Sequence, residues 1–130
     1  MPPDKKTSIL LIEDDAFLAQ IYAKAFESQN FDVSLAAKGE DGLKLAERAK
    51  PDLIFLDLML PDVEDDLFSI LKKFKAEQAF ANVPIVVLSN LGQREDVERA
   101  LALGAAAYFI KAHTLPNDAI RKIKEILHLA

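Results

Sequence analysis

Five short apolar runs alternate with five stretches of helical period along this chain of 130 residues. That alternation predicts an α/β fold, a doubly wound parallel sheet with helices on both faces and right-handed crossovers. Three observations carry the prediction. The runs at 9–12, 53–56 and 85–88 are apolar throughout, as strands covered on both faces are. The segments between the runs repeat apolar residues at helical spacing. No linker-like segment divides the chain, and its length suits one domain with a sizeable core. A single domain over residues 1–130 is therefore expected, with 1–6 as a polar lead and no output domain after the last helix.

Taken in order, Thr7 to Ile12 is the first strand and runs into Glu13-Asp14-Asp15. Those acids suit the start of a helix, by side-chain capping and by the dipole. In that helix Phe17, Leu18, Ile21, Tyr22, Ala25 and Phe26 recur at helical spacing until Asn30. Phe31, Val33 and Leu35 then alternate with Asp32 and Ser34, a strand with one wet face. Gly39 precedes a helix to about Ala49, which Pro51 closes. The third strand, Asp52 to Leu56, ends in Asp57. An acid-rich loop, Pro61 to Asp66, leads to a helix carrying Phe68, Ile70, Leu71 and Phe74. Ile85 to Leu88 is a fourth strand, stopped by Ser89-Asn90. A helix from about Gln93 to Leu103 has Gly104 at its C-terminal cap. Ala106 to Ile110 is a short fifth strand ending in Lys111, and Pro116 opens the last helix.

The alternating run at 31–36 and the short one at 106–110 read as edge strands. A sheet ordered 2-1-3-4-5 puts them at its edges, which is the flavodoxin-like (βα)5 arrangement. A dinucleotide-binding sheet would need a Gly-rich first turn, where this chain has Glu-Asp-Asp. With no cysteine, thiolate catalysis and sulfur-based zinc sites are excluded. No apolar run reaches the ~18 residues of a membrane span, and the N-terminus lacks a signal peptide's apolar region, so a cytoplasmic location is expected. The net charge of −5 argues against direct nucleic-acid binding.

Ligands of open parallel sheets bind beyond the carboxyl ends of the strands, here between the first and third. Residues gathered there are Glu13, Asp14 and Asp15 from the first strand, Asp57 from the third, Ser89 from the fourth and Lys111 from the fifth. Carboxylates this close need compensation, and Mg²⁺ held by their oxygens is the natural candidate. One carboxylate could then act as a nucleophile toward phosphorus, with Lys111 and Ser89 assisting the transferred group.

Four motifs now stand in order: Ile9-Leu-Leu-Ile-Glu-Asp-Asp15, Asp57-Leu-Met-Leu-Pro61, Val87-Leu-Ser89 and Gly104-Ala-x-x-Tyr108-x-x-Lys111. Together, at this spacing, they resemble the receiver domain of two-component response regulators over essentially the whole chain. The resemblance implies Asp57 as phosphoacceptor. It implies a Mg²⁺ site of Glu13, Asp14, Asp57 and the Met59 backbone carbonyl. Ser89 and Lys111 would contact the phosphoryl group, and Ser89 and Tyr108 would form the switch. It further implies a sensor histidine kinase or histidine phosphotransfer protein as donor, self-catalysed phosphorylation and slow self-dephosphorylation. Signalling would pass to a downstream protein through the face of the fourth helix, fifth strand and fifth helix.

Two departures mark this chain. Ala112 follows Lys111 where receivers usually carry proline on a cis peptide. A non-proline cis bond costs roughly 2.5–4 kcal/mol, so a trans peptide and a differently aimed lysine are expected. The loop Asp62-Val-Glu-Asp-Asp66 is longer than usual and lacks glycine, and its four acids should disfavour an anionic phosphoryl group. These departures leave a second reading open: a receiver-like interaction module that has lost efficient phosphorylation. A hydrolase with an aspartate nucleophile fits less well, because such enzymes resemble a pattern with a second acid where Met59 stands.

Overall fold

The computed structural model describes residues 6–63 and 66–130. Five strands, β1 (Ser8–Ile12), β2 (Asp32–Ala36), β3 (Leu53–Leu56), β4 (Ile85–Ser89) and β5 (Ala107–Ile110), form one parallel sheet in the order β2-β1-β3-β4-β5. Five α-helices alternate with them: α1 (Ala16–Ser28), α2 (Gly39–Ala49), α3 (Ser69–Ala76), α4 (Arg94–Ala102) and α5 (Pro116–Ile126). The predicted fold class and strand order are both present. β1, β3 and β4 are buried almost throughout, whereas β2 and β5 are mostly half-buried, as edge strands are.

Side chains of a strand alternate between the two faces of its sheet, so the three central strands build two cores. Leu10, Ile12, Ile54, Leu56, Ile85 and Val87 pack with Ala46 of α2, Leu71 and Phe74 of α3 and Ala100 of α4. Ile9, Leu11, Leu53, Phe55, Val86 and Leu88 pack with Tyr22 and Phe26 of α1 and Ile120 and Ile123 of α5. Phe26 stacks on Phe55 with ring centroids 5.4 Å apart. The continuous apolar runs are thus the consequence of having helices on both sides.

Helix ends follow local chemistry. Asp15 caps α1 by accepting from the Leu18 amide at 3.1 Å. Asn30 leaves α1 with a positive φ of 67°. α2 ends at Ala49, and its capping residue Lys50, directly before Pro51, turns left-handed with φ 46°. Gly104 after α4 has φ 108°, a conformation that an L side chain would resist. Two 3-10 turns, Gln78–Phe80 and Lys111–His113, were not legible in the apolar pattern. Among the described residues, no helix is long and apolar enough to cross a membrane.

Register positions the functional end of the sheet. Ile12 of β1 pairs with Leu56 of β3, and the Asp57 amide donates to the Ile12 carbonyl at 3.0 Å. The next residues, Glu13 and Asp57, therefore leave the sheet side by side. Ser89 pairs with Ile110, so Lys111 emerges beside the end of β4.

Candidate functional site at the carboxyl end of the sheet

Asp57 is 2 % exposed and Glu13 4 %, while Asp14 lies open to solvent. Ligand oxygens of these three carboxylates lie within 4.8 Å of one another. Lys111 crosses the site: its Nζ donates to Asp57 Oδ2 at 2.7 Å and sits 2.6 Å from Glu13 Oε1. The other Asp57 oxygen, Oδ1, accepts from the Met59 amide at 3.0 Å. The Met59 side chain is itself exposed. Burial pushes the Glu13 carboxyl above the ordinary carboxylate range, and the contact with Lys111 and the Asp15 amide do not fully offset it. Burial also disfavours the Lys111 ammonium, yet its contacts to Asp57 and Glu13 outweigh that and hold it above the usual lysine range. Both members of the Glu13–Lys111 contact therefore move upward. The lysine gains from two carboxylates, whereas each carboxylate has only a share of one lysine.

Ser89 is fully buried, and its Oγ accepts from the Leu91 amide at 3.3 Å rather than bonding Asp57. Tyr108, half-buried, donates its hydroxyl to the Leu91 carbonyl at 2.6 Å. Both side chains thus hold the same residue of the β4–α4 loop. Burial, followed by the Asp96 charge, pushes the Tyr108 phenol up.

The expectation that a trans peptide would aim Lys111 elsewhere is corrected. There is no cis peptide bond among the described residues, and Lys111 still reaches both carboxylates. An alanine in place of proline brings an N–H that needs an acceptor. The Ala112 amide finds one in Asn90 Oδ1 at 3.2 Å, and Thr114 Oγ1 donates to the Ile110 carbonyl at 2.7 Å. Those two bonds hold the Lys111–His113 turn. Asn90 read only as a strand stop in the sequence; the unmatched Ala112 donor was the available signal for it.

The family model for the response regulator receiver domain matches residues 9–123. The chain belongs to this family. Among relatives, it is 36% identical over 119 residues to the DNA-binding dual master transcriptional regulator RpaA of Synechocystis, covering 92% of this chain and 48% of that protein. It is 38% identical over 104 residues to the transcriptional regulatory protein AfsQ1 of Streptomyces coelicolor, covering 80% and 44%. The chain thus spans about half the length of these curated relatives. Among solved structures, it is similar to the CheY-like receiver domain protein of Methanospirillum hungatei, with a TM-score of 0.86, 26% identity and 95% of each chain covered. The signal receiver domain of a DNA-binding response regulator from Colwellia psychrerythraea gives a TM-score of 0.85 at 30% identity, covering 95% and 99%.

The donor set of this receiver suits a hard cation. All three side-chain candidates are carboxylates, and buried Glu13 Oε1 has no partner besides its 2.6 Å ion pair with Lys111. A buried oxygen in that condition gains from an oxygen-seeking divalent ion. Glu13, Asp14 and Asp57 could hold one.

The acidic loop does not turn all its charge on this site. Asp62 accepts from the Gly39 and Glu40 amides at 2.9 and 3.0 Å, the first two of α2. Partial burial works against its charged form, but those amides outweigh it and hold the carboxyl below the usual range. Asp66 accepts from the Phe68 amide at 3.0 Å, from Lys72 at 2.6 Å and from Arg99 of α4 at 3.1 Å. Arg99 also lies over the Phe68 ring, 4.5 Å from its centroid. Two of the four acids are therefore spent on helices. Glu64 and Asp65 lie outside the described residues.

Proposed function

We propose that this receiver takes a phosphoryl group from a phosphohistidine of a sensor histidine kinase or histidine phosphotransfer protein onto Asp57, in a Mg²⁺-dependent reaction, and signals by a conformational switch. One observation carries the reading: three carboxylates converge within 4.8 Å and an ammonium lies 2.7 Å from the central one. Glu13, Asp14 and Asp57, with the Met59 backbone carbonyl, would hold the metal. Bound Mg²⁺ neutralises charge on phosphoryl oxygens.

The rest of the chemistry belongs to the chain. An Asp57 carboxylate oxygen forms the new P–O bond as the P–N bond of the donor imidazole breaks, and the electron pair stays on the imidazole nitrogen. The Met59 amide and Lys111 hold the carboxylate in one orientation before attack. Lys111 then serves the phosphoryl oxygens as a point charge, and Ser89 offers a hydroxyl donor once it releases Leu91. Slow hydrolysis by water would return the carboxylate. Because Ser89 and Tyr108 both bind Leu91, a change at Ser89 bears directly on the ring. The α4–β5–α5 face follows as a shift between two populations and presents the output to a downstream protein.

The donor would seat on the apolar ground beside the site. Phe17 in the first turn of α1 is 78 % exposed and Leu115 at the start of α5 is 68 % exposed. Tyr22 of α1 donates to the Thr114 carbonyl, which ties α1 to the segment just before α5. The test is incubation with acetyl phosphate, with Mg²⁺ or with chelator, followed by intact mass. One added phosphoryl group is expected with Mg²⁺ on wild type and none on Asp57→Asn. No gain on wild type, or the same gain on the variant, rejects the reading.

The second reading, an interaction module without efficient phosphorylation, draws on Lys111 alone. Its ammonium lies 2.6 and 2.7 Å from the Glu13 and Asp57 carboxylates and so compensates part of their charge by itself. Mg²⁺ titration followed by NMR separates the two: absence of shifts at Asp14 and Asp57 favours the module.

A further inference from the structure

α2 begins after Lys38, whose extended backbone suits a capping residue but whose side chain makes no capping bond. The cap comes instead from Asp62, more than twenty positions away in sequence, whose two oxygens take the Gly39 and Glu40 amides at 2.9 and 3.0 Å. Between Asp57 and Asp62 the chain alternates. Leu58 and Leu60 are buried in the core shared with α2 and α3, and Met59 points outward. The Val63 amide closes a turn onto the Leu60 carbonyl at 3.1 Å. Six residues are thus pinned at one end by β3 and at the other by a helix N-terminus. The backbone of Met59, whose amide binds Asp57 Oδ1, lies in the middle.

We propose that Asp62 is a positioning residue for the metal site: its bonds to the first two amides of α2 fix the Met59 backbone beside Asp57. The proposal rests on the reading above, in which the Met59 carbonyl is a metal ligand. Groups that orient a ligand matter to affinity because a loose ligand must be ordered on binding. The same two bonds also satisfy orphan amides of α2, so a merely structural role has to be separated from a positioning one.

Two variants separate them. Asp62→Ala removes both bonds. Lys38→Ser/Asp62→Ala gives α2 a local capping hydroxyl while leaving the loop free. In each, three quantities are measured: the melting temperature without metal, hydrogen exchange of the Met59 amide without metal, and the Mg²⁺ concentration that half-saturates the NMR shift of the Asp14 amide. For Asp62→Ala we expect lower melting, faster Met59 exchange and a half-saturating Mg²⁺ raised about tenfold, the lower end for loss of a ligand's support. The double variant should regain melting temperature but neither slow exchange nor Mg²⁺ affinity. Recovery of all three in the double variant, or wild-type exchange and affinity in Asp62→Ala, overturns the proposal. A wild type with no Mg²⁺ shifts rejects the metal reading instead, and Met59 exchange in the metal-free variants still decides the role of Asp62.

Discussion

Lys111 is the residue on which the charge balance of the site turns. It faces two nearly buried carboxylates at 2.6 and 2.7 Å, and nothing else with positive charge contacts them among the described residues. Removing one partner of a buried ion pair costs about 3–5 kcal/mol. Lys111 keeps some exposure and Glu13 can take a proton, so Lys111→Met should cost about 1–3 kcal/mol in metal-free protein. Added Mg²⁺ should then raise the melting temperature of the variant more than that of wild type, since the cation supplies the missing charge. Equal Mg²⁺ stabilisation in thermal melts of the two would contradict this balance. The sequence announced the members of this cluster because strand ends in a parallel sheet meet at one edge. It did not announce Asn90 or Asp62, whose roles are hydrogen bonds to backbone amides distant in sequence, and composition carries no trace of such pairings.

At the scale of elements, the helix starts are where stability and site geometry meet. Asp62 caps α2, and loss of a side-chain cap costs about 0.5–2 kcal/mol, several degrees in melting temperature for a domain of this size. Its folded pKa lies below the ordinary value of 3.8. Stability from a depressed carboxyl is present above its unfolded pKa and is lost as pH falls through the folded one. The difference in melting temperature between wild type and Asp62→Ala should therefore be constant from neutral pH down to about 4. Below that it should close; a gap that persists at the most acidic pH would show that the charge is not what caps. α2 also explains why Gly39 is a glycine: a Cβ there would lie 2.5 Å from Ile70 Cδ1 of α3. Gly39→Ala should destabilise by about 1–3 kcal/mol in denaturant titration, as overpacking does. The strands were legible because continuous apolar runs and alternation have different periods. The two 3-10 turns were not, since each is three residues long, shorter than one period of a helical apolar pattern.

The whole molecule joins the site to a distant face through few contacts. Tyr108 of β5 and Ser89 of β4 share Leu91, and Asp66 beyond β3 reaches Arg99 of α4. Tyr108→Phe deletes the bond to the Leu91 carbonyl, a net loss of about 1 kcal/mol. Mass spectrometry should find phosphoryl uptake unchanged in this variant. The NMR shifts that phosphorylation induces at α4 should shrink relative to wild type, and full-sized shifts there would remove Tyr108 from the switch. The fold and strand order were readable because burial on both faces dictates apolar strands, and the flavodoxin-like order 2-1-3-4-5 puts both half-wet strands at the edges. That Ser89 and Tyr108 both bond to Leu91 was not readable, because it depends on rotamers and loop bonds rather than on residue type. The central claim is that the Asp57 carboxylate is the nucleophile. Borohydride reduction of acetyl-phosphate-treated protein, followed by peptide mass spectrometry, tests it most directly, because an acyl phosphate on aspartate is reduced to homoserine. Homoserine at position 57, formed only with Mg²⁺, is the predicted result; reduction at Glu13 or Asp14 instead, or at no carboxylate, contradicts it.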